Sequence, residues 1–564
     1  MRIVLGNRSS SARRPSEGWP ASRSSSAQRL SEGWRALGFA VVSGSLAVAL
    51  AASAQESTSA SSAVDRAFRS FWAAANPAGA AARIDAILKT GVSFEDALTQ
   101  VRRGRDYDAD VPRGLQIGRH RTFDGLDHEF VFIIPKTYDA SRPYQVRFQL
   151  HGGIARARPL AVNRVRTDVL PSGVDEILVF PIGWVRSLWW SATQADNLAR
   201  ILDRLKRTYN VDENRVYLTG VSDGGTGVYF MAFRDVTPWA SFLPLIGHMV
   251  VLGTKSVLAE GEMYPGNVVN KPLYVVNTGR DRMYPAHVTQ IYVDHLRRLG
   301  GNVVFRVYPE LGHSTEWWPN DRPEFESFVH DNPREPLPDR ISWQTERVDR
   351  FNRAHWLIID RLGSVEGESQ LPDTNLLPSA RAIDFGLRVN PTVDSGRRVH
   401  EVVAGSNAFR VGLRAGDRLI EANGKPVVSG RDIAQGLETW TEGDSLTLVV
   451  ERRGDRTVLE GVFQPEEIDV PPAPIFPRGK PSGRVDLVRR GNVVEASTEG
   501  VRAFTLLLSP SIFDFRKPIA VVANGRAVFE GIVEPSVATM LQWAARDSDR
   551  TMVFAAELKI ELDK

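Results

Sequence analysis

Three side chains far apart in this sequence have the types that nucleophilic acyl transfer needs, in the chain order serine, acid, base: Ser222, Asp281 and His313. Ser222 lies in Gly220-Val221-Ser222-Asp223-Gly224, a G-x-S-x-G. The apolar run Val216-Tyr217-Leu218 precedes it, and Gly227-Val-Tyr-Phe-Met-Ala-Phe233 comes after it. Strand, serine and helix in that order put the hydroxyl on a sharp turn above a sheet, and the glycines let neighbouring backbone crowd that turn. A serine hydroxyl is a weak nucleophile without a base, and the base needs an acid to orient it. Asp281 follows the apolar run Pro272–Asn277 through Thr-Gly-Arg, and His313 follows Asn302–Tyr308 through Pro-Glu-Leu-Gly. Both therefore fall on loops at the carboxyl ends of later strands. The pattern assigns Ser222 as nucleophile, His313 as general base and then acid, and Asp281 as the group that fixes the imidazole tautomer. His248, His287 and His295 compete for the base. His248 precedes Asp281 and breaks the order, and the other two lie in or near a helical stretch. For Asp281 the alternative is an ion pair with Arg280 or Arg282.

A tetrahedral intermediate needs donors already aimed at its oxygen. Leu150-His151-Gly152-Gly153 ends a strand, and its glycines let backbone N–H groups turn inward. The N–H groups of Gly153 and Asp223 are the expected pair, with Gly152 as the alternative and His151 as a support. The Asp223 carboxylate, beside the nucleophile, meets a cationic substrate group or pairs with an arginine. Trp184, Trp189, Trp190, Trp317 and Trp318 fall near the same loops, and they either line a substrate pocket or roof the core.

The elements that must carry these residues follow from periodicity. Apolar runs at Glu129–Pro135, Gln145–Leu150 and Ile177–Pro181 read as strands, and Asp196–Tyr209 reads as a helix with Leu198, Ile201, Leu202 and Leu205 on one face. Strands alternating with helices predict a doubly wound, mostly parallel sheet covered on both faces. This domain is expected over 114–332, ending where the proline-rich Asp331–Asp339 begins. Before it, 63–113 reads as a small helical region with helices at Ala63–Ala75, Ala80–Lys89 and Ser93–Arg102. After it come strand-like runs at 341–362, a compact unit at 380–465 between two proline-containing linkers, and a β-rich stretch at 483–564 with one helix, Val537–Arg546. The runs at 341–362 are expected to belong to that last domain, with the compact unit inserted between.

A chain of 564 residues exceeds one core. The net charge of +3 comes from the first 54 residues, which hold seven arginines and two glutamates; the rest is near neutral and gives no electrostatic case for nucleic acid. With no cysteine there is no disulfide, thiolate metal site or cysteine nucleophile. Within 1–54 a repeat, SARRPSEGWPA then SAQRLSEGWRA, precedes the apolar run Ala36–Ala52 and Ala52-Ser53-Ala54. That is the pattern of a cleaved secretory signal, with true initiation downstream of the repeat, export to the periplasm or medium, and no membrane association after cleavage; an uncleaved anchor is the alternative.

The motifs LHGG, DENRVYLTGVSDGG, NTGRD and LGHS together resemble bacterial esterases of the polyhydroxybutyrate-depolymerase and feruloyl-esterase kind, and also the prolyl-oligopeptidase-like peptidases. The resemblance covers about 114–332 and implies an α/β-hydrolase fold that cleaves an ester or peptide bond without a cofactor or metal. Gly405-Ser-Asn-Ala408, Gly412-Leu-Arg-Ala-Gly-Asp-Arg-Leu-Ile420 and Asn423-Gly-Lys-Pro-Val427 closely resemble a bacterial PDZ domain. That implies capture of peptide C-termini, with Phe385-Gly386-Leu387 in the position of the carboxylate loop and binding strand; the alternative is a PDZ fold that serves only as a spacer. The reading is an exported serine hydrolase acting on carboxylic esters. A serine peptidase is the rival among enzymes, and a PDZ scaffold with an inert hydrolase domain is the rival outside them.

Overall fold

The computed structural model describes residues 2–4, 62–165, 175–389, 394–464 and 466–562. The chain divides into two compact units. The smaller comprises Met1–Ser45 and Leu376–Ala473, the larger Leu46–Asn375 and Pro474–Lys564. Of the segment expected to be a secretory signal only Arg2–Val4 is described, as a strand antiparallel to Ala382–Asp384; the apolar run Ala36–Ala52 lies outside the described residues. Among the described residues no helix is long and apolar enough to cross a membrane.

The larger unit is built on eight strands: β1 Gly114–Arg121, β2 Asp127–Ile134, β3 Tyr144–Leu150, β4 Ile177–Phe180, β5 Val211–Val221, β6 Phe242–Leu245, β7 Leu273–Thr278 and β8 Val303–Tyr308. They lie in the order β1-β2-β4-β3-β5-β6-β7-β8. β2 runs antiparallel to both neighbours, and every pair from β4 to β8 is parallel. The mostly parallel sheet read from the alternation of strands and helices is therefore present. β3, β4, β6 and β7 are buried almost throughout, as strands covered on both faces must be. β6 was missed in the sequence because it is four residues long and carries Pro244. On one face the helix Trp318–Asp331 packs against Tyr217, Leu243, Leu245, Tyr274 and Val276. The helices Ala192–Thr208 and Asp223–Arg234 present buried stripes to the sheet core, and Ser191 caps the first through its bond from the Gln194 N–H.

The N-terminal helical region differs from the expected one. Ala80–Lys89 is two short helices, Pro77–Ala81 and Ile84–Leu88, because Asn76 caps a helix starting at Pro77 and the chain breaks at Arg83 before the second begins. Helices 62–72 and Phe94–Arg103 bury Phe68, Phe71, Trp72, Ala97 and Val101 against Met540, Leu541 and Ala544 of the helix Val537–Asp547. The β-rich part forms two sheets, and each mixes strands from both sides of the smaller unit. Arg340–Thr345 pairs with Gly483–Arg490, and Leu357–Leu362 pairs with Val501–Leu508. Asn375 exchanges side-chain hydrogen bonds with the backbone of Phe476, closing the chain where it returns.

The proline-rich stretch expected to end the hydrolase domain near Asn332 forms a seam anchored by the buried Arg334 and Leu337, while Asp331, Pro333, Glu335 and Asp339 are exposed. Arg334 donates to Asp549 at 2.7 Å, with both side chains at most 1% exposed, and also to Asn214 and Thr551. Removing one partner of a buried, hydrogen-bonded pair strands the other charge. Arg334→Met is therefore expected to destabilise the protein by about 3–5 kcal/mol, read as a lowered urea midpoint; a change under about 1 kcal/mol would show that the seam is not held by this pair.

The smaller unit has its own core, with Phe385, Leu387, Leu419, Ile433, Leu448 and Phe463 inside. Leu387–Val389 pairs antiparallel with Val399–Val402, and Arg418–Ala422 pairs with Ser445–Arg452, which pairs in turn with Asp455–Val462. The Ser429–Asp432 capping box starts the helix Gly430–Thr439.

Candidate active site

β3, β5, β7 and β8 end on the same edge of the parallel sheet, and the loops leaving them carry every reactive residue. β5 delivers Ser222 with φ 59° and ψ −120°, a conformation that a residue with a Cβ rarely adopts. The turn closes only because its neighbours lack side chains. A Cβ on Gly220 would lie 2.4 Å from the Gly224 backbone, and one on Gly224 would lie 2.1 Å from the Leu150 oxygen. The strained turn leaves the serine hydroxyl half-exposed above the sheet.

The loops after β7 and β8 are laced together. The Gly279 and Arg280 N–H groups donate to the Tyr308 and Leu311 oxygens, and the Thr278 hydroxyl donates to the Gly312 oxygen at 2.8 Å. The buried Asn277 amide donates to the Gly247 and Tyr284 oxygens, which fixes the segment between them. This lacing brings His313 Nδ1 to 2.7 Å from Asp281 Oδ2, and His313 Nε2 to 2.9 Å from Ser222 Oγ. Asp281 Oδ1 accepts from the Met283 and Tyr284 N–H groups at 2.7 and 2.9 Å. Burial pushes the Asp281 carboxyl up, but the bonds from His313, Tyr284 and Met283 outweigh it and hold the group below its usual 3.8. An ionised carboxylate only accepts, so His313 carries its proton on Nδ1 and leaves Nε2 free to take the serine proton. Tyr284 stands edge-on to the imidazole at 5.7 Å.

The rival partners lie elsewhere. Arg280 pairs with Glu310. His248 Nδ1 accepts from the Val250 N–H, His295 Nε2 bonds to the Thr374 oxygen at 2.8 Å, and His287 lies within the helix Ala286–Arg298.

Gly152 passes directly over the nucleophile: a Cβ there would be 2.9 Å from Ser222 Cβ. Gly153 has φ 69°, which turns the chain after it. Among the described residues the N–H groups of Gly153 and Asp223 donate to nothing. His151 supports this loop. Its Nδ1 bonds to the Gly152 oxygen at 2.8 Å, and its Nε2 accepts from the Gly183 N–H at 3.2 Å. Burial pulls its pKa down to about 4, so the ring is neutral and both nitrogens are used. Asp223 makes no ion pair with an arginine among the described residues. Its Oδ2 accepts from the Ile154 N–H at 2.9 Å and fastens the His151–Ile154 loop to the residue after the serine. The sequence carried no signal for this latch, because the two residues are 69 positions apart.

The tryptophans require a correction. Trp184, Trp189, Trp190, Trp317 and Trp318 are all at most 6% exposed and sit in the core, and Trp317 and Trp318 also line a small internal cavity with Val221 and Thr315. The Trp189 indole donates to the His151 oxygen at 2.8 Å, and its ring fills the space that a side chain at Gly183 or Gly227 would need. Trp190 donates to Val257, and Trp317 to Ser314. They shape the site by holding its loops from below. The proposed peptide loop of the smaller unit also differs. The Phe385 and Leu387 side chains are core residues, and the Gly386 N–H already donates to Asp384 Oδ1, whose carboxylate also pairs with Arg388. The segment contributes the short strand Leu387–Val389, antiparallel to Val399–Val402.

Comparison with known proteins bears on the smaller unit first. Residues 398–452 match the family model described as PDZ domain. The smaller unit contains a PDZ domain at 398–452. The larger unit, with its strand order and serine elbow, is an α/β-hydrolase fold. Solved structures similar to it include a thermostable esterase (20% identity, TM-score 0.33, covering 39% of this chain and 63% of that one). An acylaminoacyl peptidase of Pyrococcus horikoshii is similar at 15% identity and TM-score 0.31, covering 40% and 43%. Esterase 2 of Thermogutta terrifontis is similar at 9% identity and TM-score 0.33, covering 39% and 94%. The chain thus spans less than two thirds of the length of the first two. No curated protein matches the chain.

Proposed function

We propose that the α/β-hydrolase unit is a serine hydrolase that cleaves carboxylic esters through an acyl-enzyme. The observation that carries this is the unbroken run of hydrogen bonds from Ser222 Oγ through His313 to the buried Asp281 carboxylate. In this reading Ser222 Oγ attacks the ester carbonyl carbon while His313 Nε2 takes its proton. The carbonyl oxygen becomes an oxyanion and accepts from the Gly153 and Asp223 N–H groups. The imidazolium, held by Asp281, returns the proton to the leaving alkoxide as the carbon–oxygen bond breaks. Water then attacks the acyl-enzyme with His313 as base, and Ser222 departs with the proton. The half-exposed serine suits an acyl group presented from solvent.

One observation favours a peptidase as second reading: the PDZ domain on the same chain, a fold that pairs its binding strand with peptide ends. Short p-nitrophenyl esters against aminoacyl p-nitroanilides separate the two. Hydrolysis of esters with kcat/KM at least about a hundredfold above that of the anilides supports the esterase, and the reverse order overturns it. Neither turned over, with an intact fold, returns the PDZ scaffold with an inert hydrolase. A peptide ending in a free carboxylate is the ligand proposed for the PDZ strand. Export belongs to the same proposal and rests on the Ala36–Ala54 pattern; a mature protein beginning at Gln55 is the expected N-terminal sequence.

Because the Asp223 carboxylate latches the loop that donates to the oxyanion, its loss should slow chemistry more than binding. Asp223→Ala is expected to lower kcat about 10- to 100-fold with KM nearly unchanged. Asp223→Asn, which keeps an acceptor for the Ile154 N–H, should recover most of that loss. Equal kcat values for both variants would remove the latch from the mechanism.

A further inference from the structure

Two hydrogen bonds hold the His313 imidazole, one between Nδ1 and Asp281 and one between Nε2 and Ser222 Oγ. In an acyl-enzyme the second is lost, because the ester oxygen of an acylated serine carries no proton to donate. A ring held at Nδ1 alone can tilt about that single bond. The His313 side chain is 26% exposed, so enclosure by the core does not confine it. Deacylation nevertheless needs the same imidazole to take a proton from the water that attacks the acyl carbon. Hydrolysis therefore calls for a restraint on the ring that comes from neither nucleophile nor substrate.

Tyr284 is placed to supply it. Its ring stands edge-on to the imidazole, 5.7 Å between centroids and 69° between planes, within the range at which aromatic rings attract. Its backbone is fixed on both sides. The Tyr284 N–H donates to Asp281 Oδ1 at 2.9 Å, and its oxygen accepts from the buried Asn277 amide at 3.0 Å. Asp281 thus ties down both the imidazole and the residue beside it. The His248 ring packs on Tyr284 at 6.0 Å, and Tyr292 stands edge-on to His248 at 5.5 Å, which extends the aromatic support away from His313.

The Tyr284 ring is half-buried, and its hydroxyl bonds to nothing among the described residues. Burial, with the Asp223 and Asp281 carboxylates, pushes the phenol up to about 12, so it stays neutral. His313 therefore meets an uncharged aromatic ring. We infer that Tyr284 is a positioning residue that keeps the His313 imidazole oriented while Ser222 is acylated, and that its loss slows deacylation more than acylation. That role presupposes the acyl-enzyme proposed above.

The full chain with p-nitrophenyl trimethylacetate, whose hindered acyl group leaves serine slowly, lets the two steps be read apart. Acylation is read from kcat/KM, and deacylation from the decay of the acylated protein by intact mass after substrate is removed. Tyr284→Leu is expected to slow deacylation about tenfold and acylation less than about threefold. Tyr284→Phe keeps the ring, and both steps should stay within about twofold of the unaltered protein. Where the leucine variant is unstable, Tyr284→Met, also uncharged and without a ring, carries the same expectation. Loss of packing in general would slow both steps alike. Equal slowing of the two steps in the ring-less variant, or a phenylalanine variant as slow as it, would overturn the inference while leaving the hydrolase reading intact. Failure of the unaltered chain to acylate at Ser222 would overturn both.

Discussion

Ser222→Ala is expected to abolish labelling by a fluorophosphonate probe and to lower kcat for ester hydrolysis by about 10⁴- to 10⁶-fold. The size of the effect follows from the geometry. Among the described residues Ser222 Oγ is the hydroxyl bonded to an imidazole nitrogen that has its proton on the far side, at 2.9 Å, so no other described hydroxyl is placed to substitute. The variant removes one oxygen from a half-exposed position and leaves the φ 59° turn to its flanking glycines, so the thermal midpoint should stay close to that of the unaltered protein. Equal labelling of both proteins would take Ser222 out of the role.

Asp281→Asn is expected to lower kcat by about 10³- to 10⁴-fold with little change in KM. Asp281 Oδ1 accepts two backbone N–H groups, so the introduced amide must keep its oxygen there and turn its NH₂ toward His313. A donor facing Nδ1 forces the imidazole proton onto Nε2, where it blocks transfer from the serine. The same substitution has a signature in stability. The Asp281 carboxyl is held below its ordinary value in the folded state, so its contribution is fully present above the unfolded pKa of about 3.9 and is lost as pH falls through the lower folded value. The gap in Tm between the unaltered protein and the variant should therefore be constant from about pH 5 to 7 and narrow below about pH 4. A gap that widens toward acid would contradict the assignment of charge.

Much of this molecule can be read in its residues, for reasons that differ from part to part. The strand–serine–helix run around Ser222 is local, and its glycines are demanded by close backbone contacts at the turn itself, so sequence and structure say the same thing there. The mostly parallel sheet follows from apolar runs of strand length alternating with an amphipathic helix. The PDZ fold is legible at 398–452 because its glycine turns lie within one short span. Tryptophan placement was not legible, since a large aromatic near a catalytic loop in sequence can face the loop or lie beneath it. Burial decided for the core in all five cases. The Asp331–Asp339 stretch held a contact that could not be read for a related reason: its prolines and charges look like the end of a domain, but Arg334 finds Asp549, 215 positions later.

The amino-acid order by itself determined which groups are available for chemistry and the sequence in which the chain visits them, because nucleophile, acid and base each sit at a strand end that local periodicity defines. Only the tertiary structure decided that the Asp223 carboxylate holds the Ile154 N–H and that Gly386 is already engaged by Asp384. Those outcomes depend on hydrogen-bond partners that packing alone brings within reach, and a donor or acceptor cannot reveal its partner until packing has excluded water and left one choice.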